Sequence, residues 1–171
     1  MAKQTMNEFL QQVGTLLYRY LRKRGLSHED AEDIVQDTCY KFLLHKDGIR
    51  SDIVMNWLFR VAANQFYDLK RKEKHRSTTD VEDIPLVSLT NLPEIQLLKK
   101  ENAKSVRDTL ESLSTMQQEL LILKYELELS YKNISSLLNM NENTLKTHVG
   151  RAKEKFIKNF KEEFDDGHGS G

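Results

Sequence analysis

Cysteine is nearly absent: Cys39 stands alone among 171 residues. An intramolecular disulfide is therefore excluded, a thiolate zinc site lacks its second sulfur, and a reducing compartment fits the chain. Proline and glycine are scarce as well, with two and seven residues. Leu, Lys and Glu are abundant, and that balance favours helices. No glycine falls in a phosphate-cradling loop of the G-x-x-x-x-G-K or G-x-G-x-x-G kind. The five histidines are scattered. The acids of SHEDAEDIVQD read as a capped helix start with a solvated or partner-binding face rather than as cation ligands. Cys39 lies on an apolar stripe and reads as a core residue. No catalytic residue, metal or cofactor is expected, and the chain does not read as an enzyme. The longest aliphatic run, Leu120–Leu123, is far short of the roughly 20 apolar residues of a membrane span. The N-terminus, MAKQTMNEFLQQVG, lacks a signal-peptide layout. A cytoplasmic protein without membrane insertion is expected.

Charge of one sign is also missing, since 26 Lys and Arg balance 26 Asp and Glu. The balance hides blocks. Residues 1–76 carry 14 basic against 10 acidic side chains, 77–93 carry three acids and no base, and 94–171 carry 12 against 13.

Both prolines, Pro85 and Pro93, fall in STTDVEDIPLVSLTNLP (77–93), which has no sustained helical period and reads as a linker. Three helices are expected before it. The first runs from about Asn7 to Arg24 with Leu10, Val13, Leu17, Tyr20 and Leu21 inward. The second starts at the cap Ser27 and ends near His45, with Ala31, Ile34, Val35, Thr38, Cys39, Phe42 and Leu43 inward. After the loop KDGIR, the third runs from Ser51 to about Arg76 with Val54, Trp57, Leu58, Val61, Ala62 and Leu69 inward. Beyond the linker a helix is expected from Pro93 to about Ser112. The capping box Ser114–Gln117 opens another, to about Glu126, and a short one begins at Ser130. The last spans Asn141 to about Phe160, and 163–171 reads as a disordered tail.

Two stretches carry nucleic-acid chemistry. LKRKEKHR (69–76) holds five Lys or Arg and one acid. It continues a segment with Trp57, Phe59, Phe66 and Tyr67, and aromatics beside cations suit single-stranded bases. For each ring alone, burial in the core is the simpler reading. SYKNISSLLNMNENTLKTHVGRAKEKF (130–156) has a helix-turn-helix pattern. Ile134, Leu138, Met140, Leu145 and Val149 form a small core, Ser135 allows close approach, Asn139 takes a left-handed turn position and Asn141 caps the second helix. Asn143, Thr144, Lys146, Thr147, His148, Arg151 and Lys155 point outward, and residues 144–161 hold six basic side chains against one acid. That face suits duplex DNA.

With AEDIVQDTCYKF (31–42), NWLFRVAANQFYDLKRK (56–72) and LESLSTMQQELLILKYELELSYKNISSLLNMNENTLKTHVGRAKEKF in this order, the chain resembles bacterial sigma factors of the extracytoplasmic-function group. Ala62, Asn64, Asp68, Arg71 and Lys72 match the family spacing A-x-N-x-x-x-D-x-x-R-K. The resemblance implies an all-α protein. Sigma domain 2 would occupy 1–76, a flexible linker 77–93, and the helix-turn-helix sigma domain 4 residues 94–162. It implies docking of Asp33, Gln36, Asp37 and Tyr40 on the clamp helices of the largest subunit of core RNA polymerase, with the flap of the second largest as a further contact. It implies reading and opening of the −10 element by Lys46, Asp47, Arg60, Asn64, Tyr67, Lys70 and Arg71. The −35 element falls to Asn143, Thr144, Lys146, Thr147, His148 and Arg151. Promoter DNA and an anti-sigma factor are the other implied partners. The chain departs from the family pattern at Asn139, where Gly is usual, at Asn141, often Pro, and at His148, often Arg. Two other readings stay open: a stand-alone helix-turn-helix regulator with an N-terminal dimerisation or signal domain, and a helical adaptor without DNA function.

Overall fold

The computed structural model describes residues 3–73, 86–97 and 103–168, and among them secondary structure is helical throughout. Two compact units result, with the main division of the chain between residues 84 and 85.

The N-terminal unit is built on α1 (Met6–Lys23), α2 (His28–His45) and α3 (Val54–Glu73). Thr5 and Glu8 form a reciprocal capping box: Thr5 Oγ1 accepts from the Glu8 N–H at 3.2 Å, and the Glu8 carboxylate accepts from the Thr5 N–H at 2.9 Å. Gly25, at φ 94°, ends α1 in the left-handed region that glycine enters without steric cost. Ser27 then caps α2 by accepting from the Asp30 N–H at 3.1 Å, and the first-turn acids lie at the positive end of that helix. Gly14 lets α1 and α2 approach closely, because a Cβ there would sit 3.4 Å from Val35 Cγ1.

Val13, Leu17, Tyr20 and Leu21 are buried as their spacing predicts, whereas Leu10 is only half-buried. On α2, Ala31, Ile34, Thr38 and Phe42 are buried, Val35 and Cys39 are half-buried, and Leu43 is exposed. The inward face of α3 is rotated from the expected one. Leu58 and Ala62 are buried with Phe59, Ala63 and Phe66, while Val54, Trp57, Val61 and Leu69 are half-buried. The aromatic rings set that rotation: Phe59 lies 4.8 Å from the Tyr20 ring, and Trp57 packs sideways against Phe42 at 6.2 Å. Helix α3 also starts later than expected, after 3₁₀ turns at Lys46–Gly48 and Ser51–Ile53, and residues 74–76 lie outside the described region.

The C-terminal unit begins before its expected boundary at 94. Residues 77–85 of the expected linker lie outside the described residues, but 86–92 are folded. Two single turns, α4 (Val87–Thr90) and α5 (Pro93–Gln96), lead towards α6 (Ala103–Glu111). Leu86, Leu89, Leu92 and Ile95 are all buried, and the buried Glu126 carboxylate accepts from the Leu89 N–H at 2.8 Å. Next come α7 (Thr115–Leu121), continued by a π turn at Ile122–Glu126, then α8 (Tyr131–Leu138) and α9 (Glu142–His168). Ser114 and Gln117 make the expected capping box, with bonds of 3.3 and 3.1 Å. Helix α9 runs past Phe160 and through most of the expected tail; 169–171 lie outside the described residues. Asn159 donates to Ser112 Oγ at 3.0 Å just before that extension, and Thr109 Oγ1 donates to the Glu163 carboxylate at 3.0 Å at its start.

Candidate polymerase and promoter interfaces

Helix α2 presents its polar residues on the side away from the core. Asp33, Gln36 and Tyr40 are exposed, and Asp37 is half-exposed with an ion pair to Lys41 at 2.8 Å. All four of these expected docking residues share one helix face. Leu44, 61% exposed, continues this face towards the C-terminus of α2 and gives it an apolar end. Beside it, a groove of about 640 Å³ runs between α1 and α2 and shares Gln36 with that face. On its wall, Tyr18 Oη and His28 Nδ1 lie 2.7 Å apart.

On α3, Arg60, Asn64, Tyr67 and Arg71 recur at intervals of four, three and four, so they form a single stripe. Arg60, Asn64 and Arg71 are exposed and Tyr67 is half-buried. Lys70 lies at the edge of the stripe, 5.9 Å from the Phe66 ring centroid and paired with Glu73 at 3.4 Å. Arg71 pairs with Asp68. Exposed pairs of this kind contribute little, so their cations remain exchangeable for phosphate oxygens. Lys46 and Asp47 are exposed in the first 3₁₀ turn. Phe59 and Phe66 are core residues and are unavailable for stacking on bases. Tyr67 lies on the stripe and is half-buried, as is Trp57, three residues before Arg60 on the same face.

The helix-turn-helix of the C-terminal unit is α8, the turn and α9. Asn139 adopts φ 50°, the left-handed conformation expected of it. Asn141 Oδ1 accepts from the N–H groups of Asn143 and Thr144 at 2.9 and 3.4 Å, which caps α9. Ser135 Oγ bonds the Met140 carbonyl and closes the turn. Ile134, Leu145 and Val149 are buried, as is Leu137, whereas Leu138 and Met140 are half-buried. Asn143, Thr144, Lys146, Thr147, His148, Arg151 and Lys155 are all exposed along α9.

Two contacts that sequence pattern alone did not single out border this surface. Tyr131 opens α8 with Lys124 Nζ 4.1 Å and Lys146 Nζ 5.6 Å from its ring centroid. One ring thus gathers two ammonium groups beside the recognition helix, where the first helix of such a motif meets the DNA backbone. The order Lys124, Tyr131, Lys146 has no regular period, so only folding brings the three together.

Helices of the described residues are nowhere long and apolar enough to cross a membrane. His, Cys, Asp and Glu side chains form no metal-holding group among the described residues. Burial pushes the Cys39 thiol above its ordinary pKa, which fits a packing role.

Family profiles match both units: Sigma-70 region 2 over residues 9–76 and Sigma-70 region 4 over 103–156. Among curated proteins, the ECF RNA polymerase sigma factor SigM of Bacillus subtilis is 28% identical over 151 residues, covering 88% of this chain and 92% of that protein. SigW of the same organism, also an ECF RNA polymerase sigma factor, is 29% identical over 157 residues, covering 86% and 82%. Among solved structures, the sigma factor RpoE of Bartonella quintana, in complex with the anti-sigma factor NepR, superposes with a TM-score of 0.58. It is 23% identical, and the match covers 91% of this chain and 96% of that one. CnrH, in complex with the cytosolic domain of CnrY, gives 0.59 at 22% identity, covering 88% and 83%. Those two likenesses are of fold. The region 2 match occupies the half that a stand-alone regulator would give to dimerisation or sensing. With both regions present in family order and full-length relatives named for the same role, this chain belongs to the extracytoplasmic-function group of bacterial sigma factors, which direct RNA polymerase to promoters.

Proposed function

We propose that this sigma factor divides promoter recognition between its units through the surfaces described above. The observation that carries the reading is the stripe of Arg60, Asn64, Tyr67 and Arg71 on α3, in a chain whose other unit exposes a capped recognition helix. Asp33, Gln36, Asp37 and Tyr40 of α2 dock on the clamp helices of the largest polymerase subunit, and the C-terminal unit meets the flap of the second largest. The α3 stripe, with Lys70 and the turn residues Lys46 and Asp47, captures the opened −10 strand: Tyr67 stacks on an unpaired base while the cations hold phosphates. Asn143, Thr144, Lys146, Thr147, His148 and Arg151 read the −35 element in the major groove, the N-terminal residues of α9 nearest the base edges. Lys124 and Tyr131 add a contact to the flanking phosphate backbone.

The protein acts in the cytoplasm without catalysis of its own, and the polymerase supplies the chemistry. The domain limits that serve this division are 1–76 for the polymerase and −10 unit, and 86–168 for the −35 unit. An anti-sigma protein is the natural regulator, a reading supported by the likeness to RpoE bound to NepR and CnrH bound to CnrY.

Run-off transcription with core polymerase on genomic promoter fragments tests the scheme. Wild-type protein should produce specific transcripts. Asp37→Arg should weaken polymerase binding. Asn64→Ala should leave polymerase binding intact and slow opening, and Arg151→Glu should weaken promoter binding with core association unchanged. Specific transcripts of equal yield from all three variants would refute the assignment of these surfaces.

A further inference from the structure

Arg24 has no role in the scheme above, yet among the described residues of the N-terminal unit it is the charged residue that is buried. It caps the C-terminus of α1, with its backbone N–H donating to the Tyr20 carbonyl at 3.0 Å. The residue is only 9% exposed. The guanidinium carbon lies 4.6 Å from the Phe66 ring centroid, 5.6 Å from that of Tyr67 and 5.8 Å from that of Tyr20. Nη1 is buried and makes no hydrogen bond, and among the described residues no carboxylate pairs with this group. A guanidinium does not shed its proton in proteins, so the charge is permanent. Three aromatic rings and the negative end of α1 offset part of its desolvation. A methionine, flexible and uncharged, would fill the same slot without that penalty.

What distinguishes the slot is Tyr67. Its ring lies 5.2 Å from Phe66 at an interplanar angle of 70°, and Arg24 reaches both rings. Tyr67 is therefore gripped from the protein side while its exposed part joins the Arg60, Asn64 and Arg71 stripe. A ring that must receive an unstacked base works best when its orientation is fixed beforehand. We propose that Arg24 is a positioning residue for promoter opening: it holds the Tyr67 ring ready to stack on an unpaired base of the −10 element, with a permanent positive charge beneath that stack. The inference rests on the assignment of α3 to the −10 element.

The test uses full-length protein with core polymerase and a promoter carrying 2-aminopurine within its −10 region, whose fluorescence rises on unstacking. The variants are Arg24→Met, Arg24→Lys, Tyr67→Ala and the double change Arg24→Met with Tyr67→Ala. Arg24→Met should unfold at the same or a higher temperature than wild type and compete equally well for core, because a cation whose desolvation is only partly offset has been removed from the interior. It should nevertheless open the promoter about tenfold more slowly, the scale of one stacking interaction. Arg24→Lys, which keeps charge but not the planar group, should recover part of that loss. In the Tyr67→Ala background, Arg24→Met should add less than about a twofold further loss, since the two residues act as one unit.

The proposal is overturned if Arg24→Met opens the promoter at the wild-type rate while Tyr67→Ala does not. It is also overturned if melting temperature and opening fall together and the two single effects multiply, the signature of a merely structural arginine. Should Arg24→Met fail to fold, Arg24→Lys decides by the same comparison with Tyr67→Ala. Normal opening by Tyr67→Ala would instead remove the −10 assignment of Tyr67, and the inference with it.

Discussion

His148 and Asn139 are single residues at which this chain departs from the family pattern, and they differ in kind. Asn139 is a solution to the same backbone problem: at φ 50° it occupies a conformation that glycine enters freely and asparagine tolerates better than most residues. The departure preserves the turn and adds one exposed carboxamide. His148 changes the surface itself, because it is exposed on α9 between Thr147 and Arg151, which are proposed to read the −35 element. An arginine there would add a permanent cation with a planar fork able to hold guanine O6 and N7. His148→Arg is therefore expected to bind duplex −35 DNA more tightly and to gain a guanine preference at one position, a discrimination of about 1–3 kcal/mol. Selection from promoters randomised across the −35 element measures this. An unchanged selected sequence would mean that His148 does not face a base. Such residues were legible in the sequence because caps and turns are local: Asn141, Ser27 and the Ser114–Gln117 pair all make the bonds their positions foretold. Arg24 was not, because the rings around it come from α1 and from α3, more than 40 residues later, and no spacing announces their meeting.

At the scale of elements, periodicity placed the helices well and their rotation less well. Helix α3 offered several apolar stripes, and the choice among them fell to partners in other helices, such as Tyr20 beneath Phe59. The segment 86–97 shows the opposite failure. Leu86, Leu89, Leu92 and Ile95 recur every three residues, but Pro93 and the polar residues between them break any sustained helix. Its order comes from packing against α6, α9 and the π turn at Ile122–Glu126, which no local signal reveals. Glu126, accepting from the Leu89 N–H in a buried site, fixes the register of this segment. Leu89→Ala should accordingly destabilise the C-terminal unit by about 2–5 kcal/mol, the range for a leucine removed from a packed core. Leu97→Ala is the control: Leu97 is 81% exposed, and its loss should change stability by less than about 0.5 kcal/mol. Urea unfolding of the two variants, followed by hydrogen exchange of residues 86–97, separates the cases. Equal effects at Leu89 and Leu97 would return this segment to the status of a linker.

For the whole molecule, net charge is a poor guide to partners, since its 26 bases and 26 acids cancel while its faces do not. The acidic face of α2 and the basic faces of α3 and α9 serve different partners in the proposed scheme, so location should govern binding and total charge should not. Two substitutions separate these ideas because they move net charge in opposite directions, Asp37→Arg to +2 and Arg151→Glu to −2. If total charge governed, Asp37→Arg would strengthen promoter binding and steepen its salt dependence. The expected result differs. With core polymerase in excess, so that every sigma molecule is loaded, Asp37→Arg should leave the slope of log K against log salt unchanged. Arg151→Glu should reduce that slope by about one, because a cation that displaces counterions at the DNA surface is lost whether it faces a base or a phosphate. Lys124→Gln should give a similar reduction if the cations around Tyr131 hold the backbone as proposed. Equilibrium promoter binding between about 50 and 200 mM salt resolves such a difference, because several contacts together change affinity by orders of magnitude over that range. A shift in slope that tracked net charge through all three variants would overturn the division of labour between faces, and with it the reading of α2 as a surface kept apart from DNA.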